Sequence, residues 1–357
     1  MAVDVAAPVV AARSSSKGGG LWRYILIRLV LIIPTVFILV TLVFFLMRIT
    51  GDPITAALGG RLPAAQLQQR IHDAGYDRPL LLQYFEYLGG VFRGDFGTTI
   101  TDHRPVIEIL LQYGSATLEL AIYAVIVALL VSIPLGLIAA YRRDRWQDAT
   151  LRVGAILAYA TPIFFVGLLL KLVFAVWLDW LPVSGRGGTS TEVLMSGVDA
   201  PTGIYLLDAI RLGDGDAVVD VLRHAVLPAV ALGLLTAGVF LRLIRTNVIG
   251  TLGQQFVTSG RSRGVSEYRL VTKHAFRPAL IPIITVMGMQ VAMLLAGAVL
   301  TETTFEWKGL GFMLAEYLKA RDFVAVQGIV VMIAVVIAVT NFLVDIIAAM
   351  IDPRVRY

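Results

Sequence analysis

Six long apolar runs recur along the chain, at 29–47, 120–141, 153–170 (continuing past Lys171 to Trp177), 225–241, 279–301 and 323–344. Each approaches the roughly 20 residues an α-helix needs to cross hydrocarbon. None alternates with the short period-two pattern of barrel strands. A backbone in lipid must satisfy its own hydrogen bonds, so these runs predict an all-α polytopic membrane protein with six transmembrane helices. The polar intervals are very unequal. The longest, 48–119, contains the amphipathic stretches "AAQLQQRIHDAG" and "RPLLLQYFEYLGGVF" and is long enough for a small folded cap on one side of the membrane. The turn "RRDRWQDAT" joins the second and third runs, whereas 37 residues, 242–278, join the fourth and fifth. The interval 179–224 is rich in Gly and Asp and reads as mobile loop with short helices.

Composition agrees with the pattern. Hydrophobic residues make up 57% of the 357 residues and charged ones 15%, against roughly 25% charged in soluble domains. Charge placement sets orientation. With the N-terminus in the cytoplasm, the inner segments collect 17 of the 30 Lys and Arg but only five of the 25 acids. The outer segments collect 12 bases and 18 acids. The net charge of +5 is thus an inner-face property and no nucleic-acid signal. Both termini are expected in the cytoplasm. The chain divides into a disordered cytoplasmic tail (1–20), a first transmembrane helix (21–47), an extracytoplasmic cap (48–119) and a core (120–357) with five further spans.

Five of the spans carry a proline, at Pro34, Pro134, Pro162, Pro228 and Pro282, each a place for a kink or a helix start. Gly233, Gly238, Gly288 and Gly297 favour close contact between helices. Cysteine is absent, which excludes disulfides and thiol chemistry. His72, His103, His224 and His274 are scattered without metal-ligand spacing, so no metal site is expected. No phosphate loop and no acid pair at mid-span is present. Catalytic residues are therefore expected to be none, and an ion-coupled carrier lacks the mid-span ionisable residues it would need.

The segment "FVTSGRSRGVSEYRLVTKHAFRPALIPI", 256–283, is the informative one. It reads as two short helices. Gly264 supplies the left-handed residue that ends the first, with Arg261 and Arg263 at its C-terminal end. Ser266 is the expected N-cap of the second, with Glu267 in its first turn. Val265, Tyr268, Val271 and Ala275 recur at helical spacing and are expected to face the bundle, with Arg269 and Lys273 on the other side. A basic cluster on anionic lipid accounts for the charge alone. The helix–glycine–helix form suits a lever pushed by a cytosolic partner.

This segment resembles the EAA loop of binding-protein-dependent ABC importers, in the version carried by dipeptide/oligopeptide permease B-type subunits. "GDP" at 51–53, "DRPLLLQYFEYLGGVFRGDFGTT" at 77–99, "HAVLPAVALG" at 224–233, "ETTFEWKGLG" at 302–311, "RDFVAVQG" at 321–328 and the closing "TNFLVDIIAAMIDPRVRY" are similar to the same family. The chain departs from it in its long N-terminal tail and in Lys308, where the family has proline. It also carries Thr258, Ser259 and Gly260 where the loop pattern has Glu-Ala-Ala.

The resemblance implies a type I ABC importer permease fold in a prokaryotic cell membrane and half of a translocation pathway for peptides. The coupling loop would lie at 250–278, docking a cytosolic ATPase through Gln254, Phe256, Thr258, Ser259, Gly260, Arg261, Arg263, Gly264, Ser266, Arg269 and Lys273. Implied partners are a homologous C-type permease, two ABC ATPases and an extracytoplasmic solute-binding protein. ATP and Mg would act on the ATPases, and this chain binds no cofactor. Nickel or another small solute is the alternative cargo, since nickel permeases share the family.

Three ionisable residues lie in or beside spans. Glu119, at the outer start of the second span, either faces the pathway and meets a peptide amino terminus or sits as an interfacial first-turn residue. Lys171 is expected to snorkel towards Trp177 and Trp180. Asp345 is expected to pair with an inner-face Arg.

Overall fold

The computed structural model describes residues 19–49 and 51–351. The expected tail and the C-terminal residues Asp352, Arg354 and Arg356 fall outside these, apart from Gly19 and Gly20. In chain order the helices are α1 (Gly19–Ile49), α2 (Pro53–Leu58), α3 (Ala64–Asp73), α4 (Leu80–Phe92) and α5 (Val106–Tyr141). Next come α6 (Trp146–Ala160) and α7 (Ile163–Leu170), which runs on in π-helical turns over Lys171–Trp177. Then follow α8 (Thr189–Ser196), α9 (Tyr205–Leu212), α10 (Gly215–Leu252), α11 (Gln255–Ser262) and α12 (Glu267–Arg269). After π-helical turns over Leu270–Ala275 come α13 (Phe276–Phe305), α14 (Leu310–Lys319) and α15 (Phe323–Ile351). Among the described residues there is one isolated β-bridge, Thr98 with Pro105.

Proline punctuates the starts. Pro63, Pro79, Pro105 and Pro162 each precede the first residue of a helix, where the fixed φ is compatible and no N–H is missed. Pro53 opens α2 behind Asp52, whose Oδ1 accepts from the Thr55 amide at 2.7 Å.

Four helices are long and apolar enough to cross a membrane, or up to six if each bent pair counts as one span. The fourth apolar run, the shortest, lies inside α10, which is 38 residues long. The third run is not one straight helix. It breaks at Thr161–Pro162, and the two halves meet at 105°. Pro162 cannot continue a helix from Thr161, and Thr161 takes the extended backbone expected before proline. The second run also differs from expectation, because its helix begins at Val106. Residues 106–119, assigned to the cap by their polarity, are the first turns of α5.

The bundle is organised around α5 and α10, which pack lengthwise through small residues. A Cβ on Gly233 would stand 2.7 Å from the Ala124 carbonyl oxygen of α5, and, where α6 packs on α10, one on Gly238 would stand 2.7 Å from that of Ala155. Only glycine permits such approaches, and in lipid close van der Waals contact replaces the hydrophobic drive between helices. Leu120, Leu232, Leu294 and Trp307 fill the core between α5, α10 and α13. α1 lies at the edge beside α15, with Ile33, Ile38 and Leu42 exposed. Arg28 reaches across to Asp345 at 3.1 Å, the partner type expected for that carboxylate.

The segment "ETTFEWKGLG" ties the corner. Glu306 takes a left-handed backbone, Trp307 is fully buried, and its Nε1 donates to the Ala116 carbonyl at 2.9 Å. The Glu302 carboxylate accepts from Thr117 Oγ1 at 2.7 Å and from the Phe312 amide at 2.9 Å, at the N-terminus of α14 where negative charge is favoured. Gly309 is required there, since a Cβ would stand 2.5 Å from that carboxylate. On the cap, Asp322 accepts from the Ile100 and Thr101 amides at 2.7 and 2.9 Å, fastening the loop before α5 to the start of α15.

Candidate functional site

At the basic end of the bundle, α11 and α12 form the hairpin that the sequence marks out. Gly264 sits between them at φ +80°, and a Cβ there would meet nothing within 4 Å. The Gly264 amide donates to the Arg261 carbonyl at 3.0 Å and the Val265 amide to that of Gly260 at 3.2 Å, satisfying the carbonyls that end α11. Arg261 and Glu267 pair across the bend, with Nη2 and Oε2 at 3.1 Å. Beneath the hairpin lie Val257, Leu270, Val271 and Ala275, all buried. Val271 and Ala275 join Ile244, Val248 and Ile283 in one cluster, so the hairpin is seated directly on α10 and α13.

The candidate docking residues gather on the outward surface of this hairpin. Gln254, Phe256, Thr258, Ser259, Arg261, Arg263, Gly264, Ser266, Arg269 and Lys273 are exposed, and Gly260 is half-buried. Gly260 has a packing reason: a Cβ would lie 3.0 Å from Leu270 Cδ2, where the two hairpin arms touch. Two details differ from expectation. Ser266 has the extended backbone of an N-cap, but its side chain makes no capping bond. Tyr268 is 65% exposed and meets the Tyr141 ring edge-on, while Leu270 is the buried residue. The π-helical turns over Leu270–Ala275 advance the register, and a strict 3.6-residue spacing therefore selects the wrong residue.

The hairpin brace should respond to pH. Arg261 beside it holds the Glu267 carboxyl below its usual range. A depressed carboxyl contributes stability above its unfolded pKa and loses it as pH falls through the folded value. The protection of the Gly264 and Val265 amides, as exchange relative to the intrinsic rate at each pH, should fall on acidification below the ordinary carboxylate range, and Glu267→Gln should remove that acid dependence. Unchanged pH profiles in the wild type and Glu267→Gln would show that the pair does not brace the bend.

Beside the hairpin, Arg245 of α10 grips Asp148 of α6 with two bonds, Nε–Oδ1 at 2.5 Å and Nη2–Oδ2 at 2.7 Å. Asp148 is fully buried, and the fork geometry fixes the two helices to one another. Arg245 also lines a cavity of about 440 Å³, together with Arg152, Tyr159, Arg242, Thr246 and Gln290.

At the cap end, Glu119 is well inside α5 and only 1% exposed. Its carboxylate pairs with Arg186, itself 6% exposed, and accepts from Tyr123 Oη at 2.8 Å and the Leu206 amide at 3.0 Å. It is neither a first-turn interfacial residue nor presented to a pathway in this conformation. Arg186 stacks on Tyr205 at 3.7 Å and stands 5.5 Å from the Trp307 ring. It therefore pins the 179–224 segment, expected as loose loop, to the bundle. Asp220 adds a second tie, accepting from the Gly188 amide at 2.7 Å and Thr191 Oγ1 at 2.6 Å. Lys171 does not snorkel to the tryptophans: its Nζ donates to the Thr304 carbonyl at 2.8 Å, near the end of α13. No group of three or more His, Cys, Asp or Glu able to hold a metal occurs among the described residues.

Residues 132–357 match the family described as "Binding-protein-dependent transport system inner membrane component", and residues 21–121 match the N-terminal family of the same membrane components. The chain is 37% identical over 337 residues to the "Dipeptide transport system permease protein DppB" of Escherichia coli, covering 94% of this chain and 99% of that one. It is 37% identical to the "Di/tripeptide transport system permease protein DppB" of Pseudomonas aeruginosa, over 92% and 97% of the two chains. To the "Glutathione transport system permease protein GsiC" of Salmonella choleraesuis it is 32% identical, over 94% and 99%.

Proposed function

The chain belongs to the binding-protein-dependent transport inner membrane component family, and from that premise we propose that it is a peptide permease subunit of an ATP-driven ABC importer. The observation that carries the peptide reading is full-length identity of 37% to dipeptide and di/tripeptide permeases. The hairpin supports the coupling reading. A partner pressing on the exposed face of α11 and α12 loads Val271 and Ala275, which are packed on α10 and α13. Force on the hairpin is thereby delivered to two spanning helices without any covalent chemistry in this chain.

In this reading both termini and the hairpin are cytosolic, following the excess of Lys and Arg on that side. Two cytosolic ATPases use ATP and Mg. One docks beneath this hairpin and the other beneath the equivalent loop of a homologous C-type permease, which supplies the other half of the pathway. A solute-binding protein delivers the peptide at the cap side. The cavity lined by Arg152 and Arg242 gives the peptide carboxylate a cationic surface on its way to the cytosol.

Proteoliposomes holding both permeases and both ATPases, supplied with the binding protein, should take up a labelled dipeptide only when ATP is present. Omitting any subunit should abolish uptake. Uptake by this chain alone under an ion gradient would replace the reading with secondary transport. Nickel uptake without dipeptide uptake would replace the cargo.

A further inference from the structure

Arg48 stands in the last turn of α1, at the edge of the apolar run. Its guanidinium lies 5.0 Å from the Phe44 ring and 4.6 Å from the Tyr76 ring. Nε and Nη1 are buried and have no hydrogen-bond partner. Among the described residues no carboxylate oxygen lies within 4 Å of it. The Asp52 carboxylate acts on it through space without pairing, and a partly buried cation without a paired anion is costly, so this position calls for one.

The neighbouring groups describe what kind. Gln83 is 9% exposed and spends both amide protons on the Tyr76 and Arg78 carbonyls, leaving Oε1 unpaired. Arg48, Gln83 and Asp52 line one cavity of about 420 Å³, together with Phe45 and Ile49. Phe45 and Ile49 also line a second, apolar groove of about 360 Å³ that runs along α1 past Phe37, Ile38 and Leu42. The two adjoin at Phe45 and Ile49: a guanidinium and the unpaired Gln83 acceptor at the head, then apolar side chains down the helix. Beside the head, α4 exposes Leu80, Leu81, Leu82 and Phe85, as a helix lying in a membrane interface does.

We propose that this cleft binds one phospholipid, its phosphate on Arg48, a headgroup hydroxyl or ammonium on Gln83 Oε1 and Asp52, and one acyl chain in the groove along α1. Arginine pairs with phosphate through two parallel N–H bonds. Water alone leaves the charge unneutralised, and a free phosphate leaves the groove empty. The site does not depend on which solute the transporter carries. Its occupant would fasten the cap to α1 and make that junction sensitive to membrane composition.

Native mass spectrometry of the purified transporter complex, titrated with phosphatidylglycerol, tests it. The wild type should hold one lipid on this chain after the bulk lipid is stripped. Arg48→Gln should bind about tenfold more weakly, as loss of a charge-assisted pair implies. Leu42→Trp, at a position 50% exposed, fills the groove without touching Arg48 and should also displace the lipid. It carries the test if Arg48→Gln does not assemble. Inorganic phosphate at matched concentration should compete poorly, because it gains nothing from the groove. Equal lipid retention in the wild type and both variants, full competition by inorganic phosphate, or a crosslinked protein segment occupying the groove would each overturn the proposal.

Discussion

Gly264→Val should lower ATP-driven dipeptide uptake about tenfold or more in reconstituted proteoliposomes, whereas Gly264→Asn should retain most of it. Gly264 holds φ +80°, a conformation that costs a side-chain-bearing residue about 1–3 kcal/mol, with β-branched residues worst and Asn best tolerated. A side-chain carbon at this position would meet nothing within 4 Å, so the effect is one of backbone strain alone, with no clash to confound it. About 1.4 kcal/mol shifts a population tenfold. That is enough to move the hairpin out of the bent form that seats Val271 and Ala275 on the bundle. Gly264 itself touches no span, so the complex should still assemble and its ATPases still hydrolyse ATP, uncoupled from uptake. Wild-type uptake by Gly264→Val would sink the lever mechanism, and loss with Asn as severe as with Val would show that the backbone angle is not what matters.

Arg186→Ala should be the most destabilising single change, by about 3–5 kcal/mol, because it strands the Glu119 carboxylate in a buried site without its counter-charge. It also removes the stack on Tyr205 and the packing against Trp307. The double variant Glu119→Gln with Arg186→Met keeps volume, leaves no charge behind and should recover most of the loss. Arg186→Lys should not recover it, since an ammonium cannot reproduce the planar stack. Thermal unfolding of the purified complex reads all three. Equal stability of Arg186→Ala and the double variant would show that the ion pair does not hold the 179–224 segment to the bundle.

The six apolar runs, the proline-marked helix starts and the glycine bend at Gly264 are local properties, and they are readable along the chain. An apolar run in lipid has only the helix open to it, and a residue at positive φ next to a helix end is most often glycine. The outward cations Arg269 and Lys273 follow from the same local reasoning.

What the sequence did not disclose depends on residues far apart in the chain. Glu119 finds Arg186 across 67 positions, and Asp148 finds Arg245 across 97. Read singly, Glu119 resembles a surface or pathway group, and only its distant partner makes it a structural one. Lys171 similarly meets the Thr304 carbonyl across 133 positions instead of the nearby tryptophans. At Tyr268 and Leu270, π-helical turns shift the register by a fraction that periodicity cannot anticipate. The bend at Pro162 was legible as one option at all five span prolines. Packing decides which of them breaks a helix, since Pro34, Pro134 and Pro228 lie within continuous helices. The sequence by itself thus determined which segments enter the membrane and where the hairpin turns, because burial of apolar surface and backbone stereochemistry act locally. Only the tertiary structure decided which buried charges neutralise each other and which face of the hairpin meets the bundle, because those choices are made by neighbours that the chain's order does not place together.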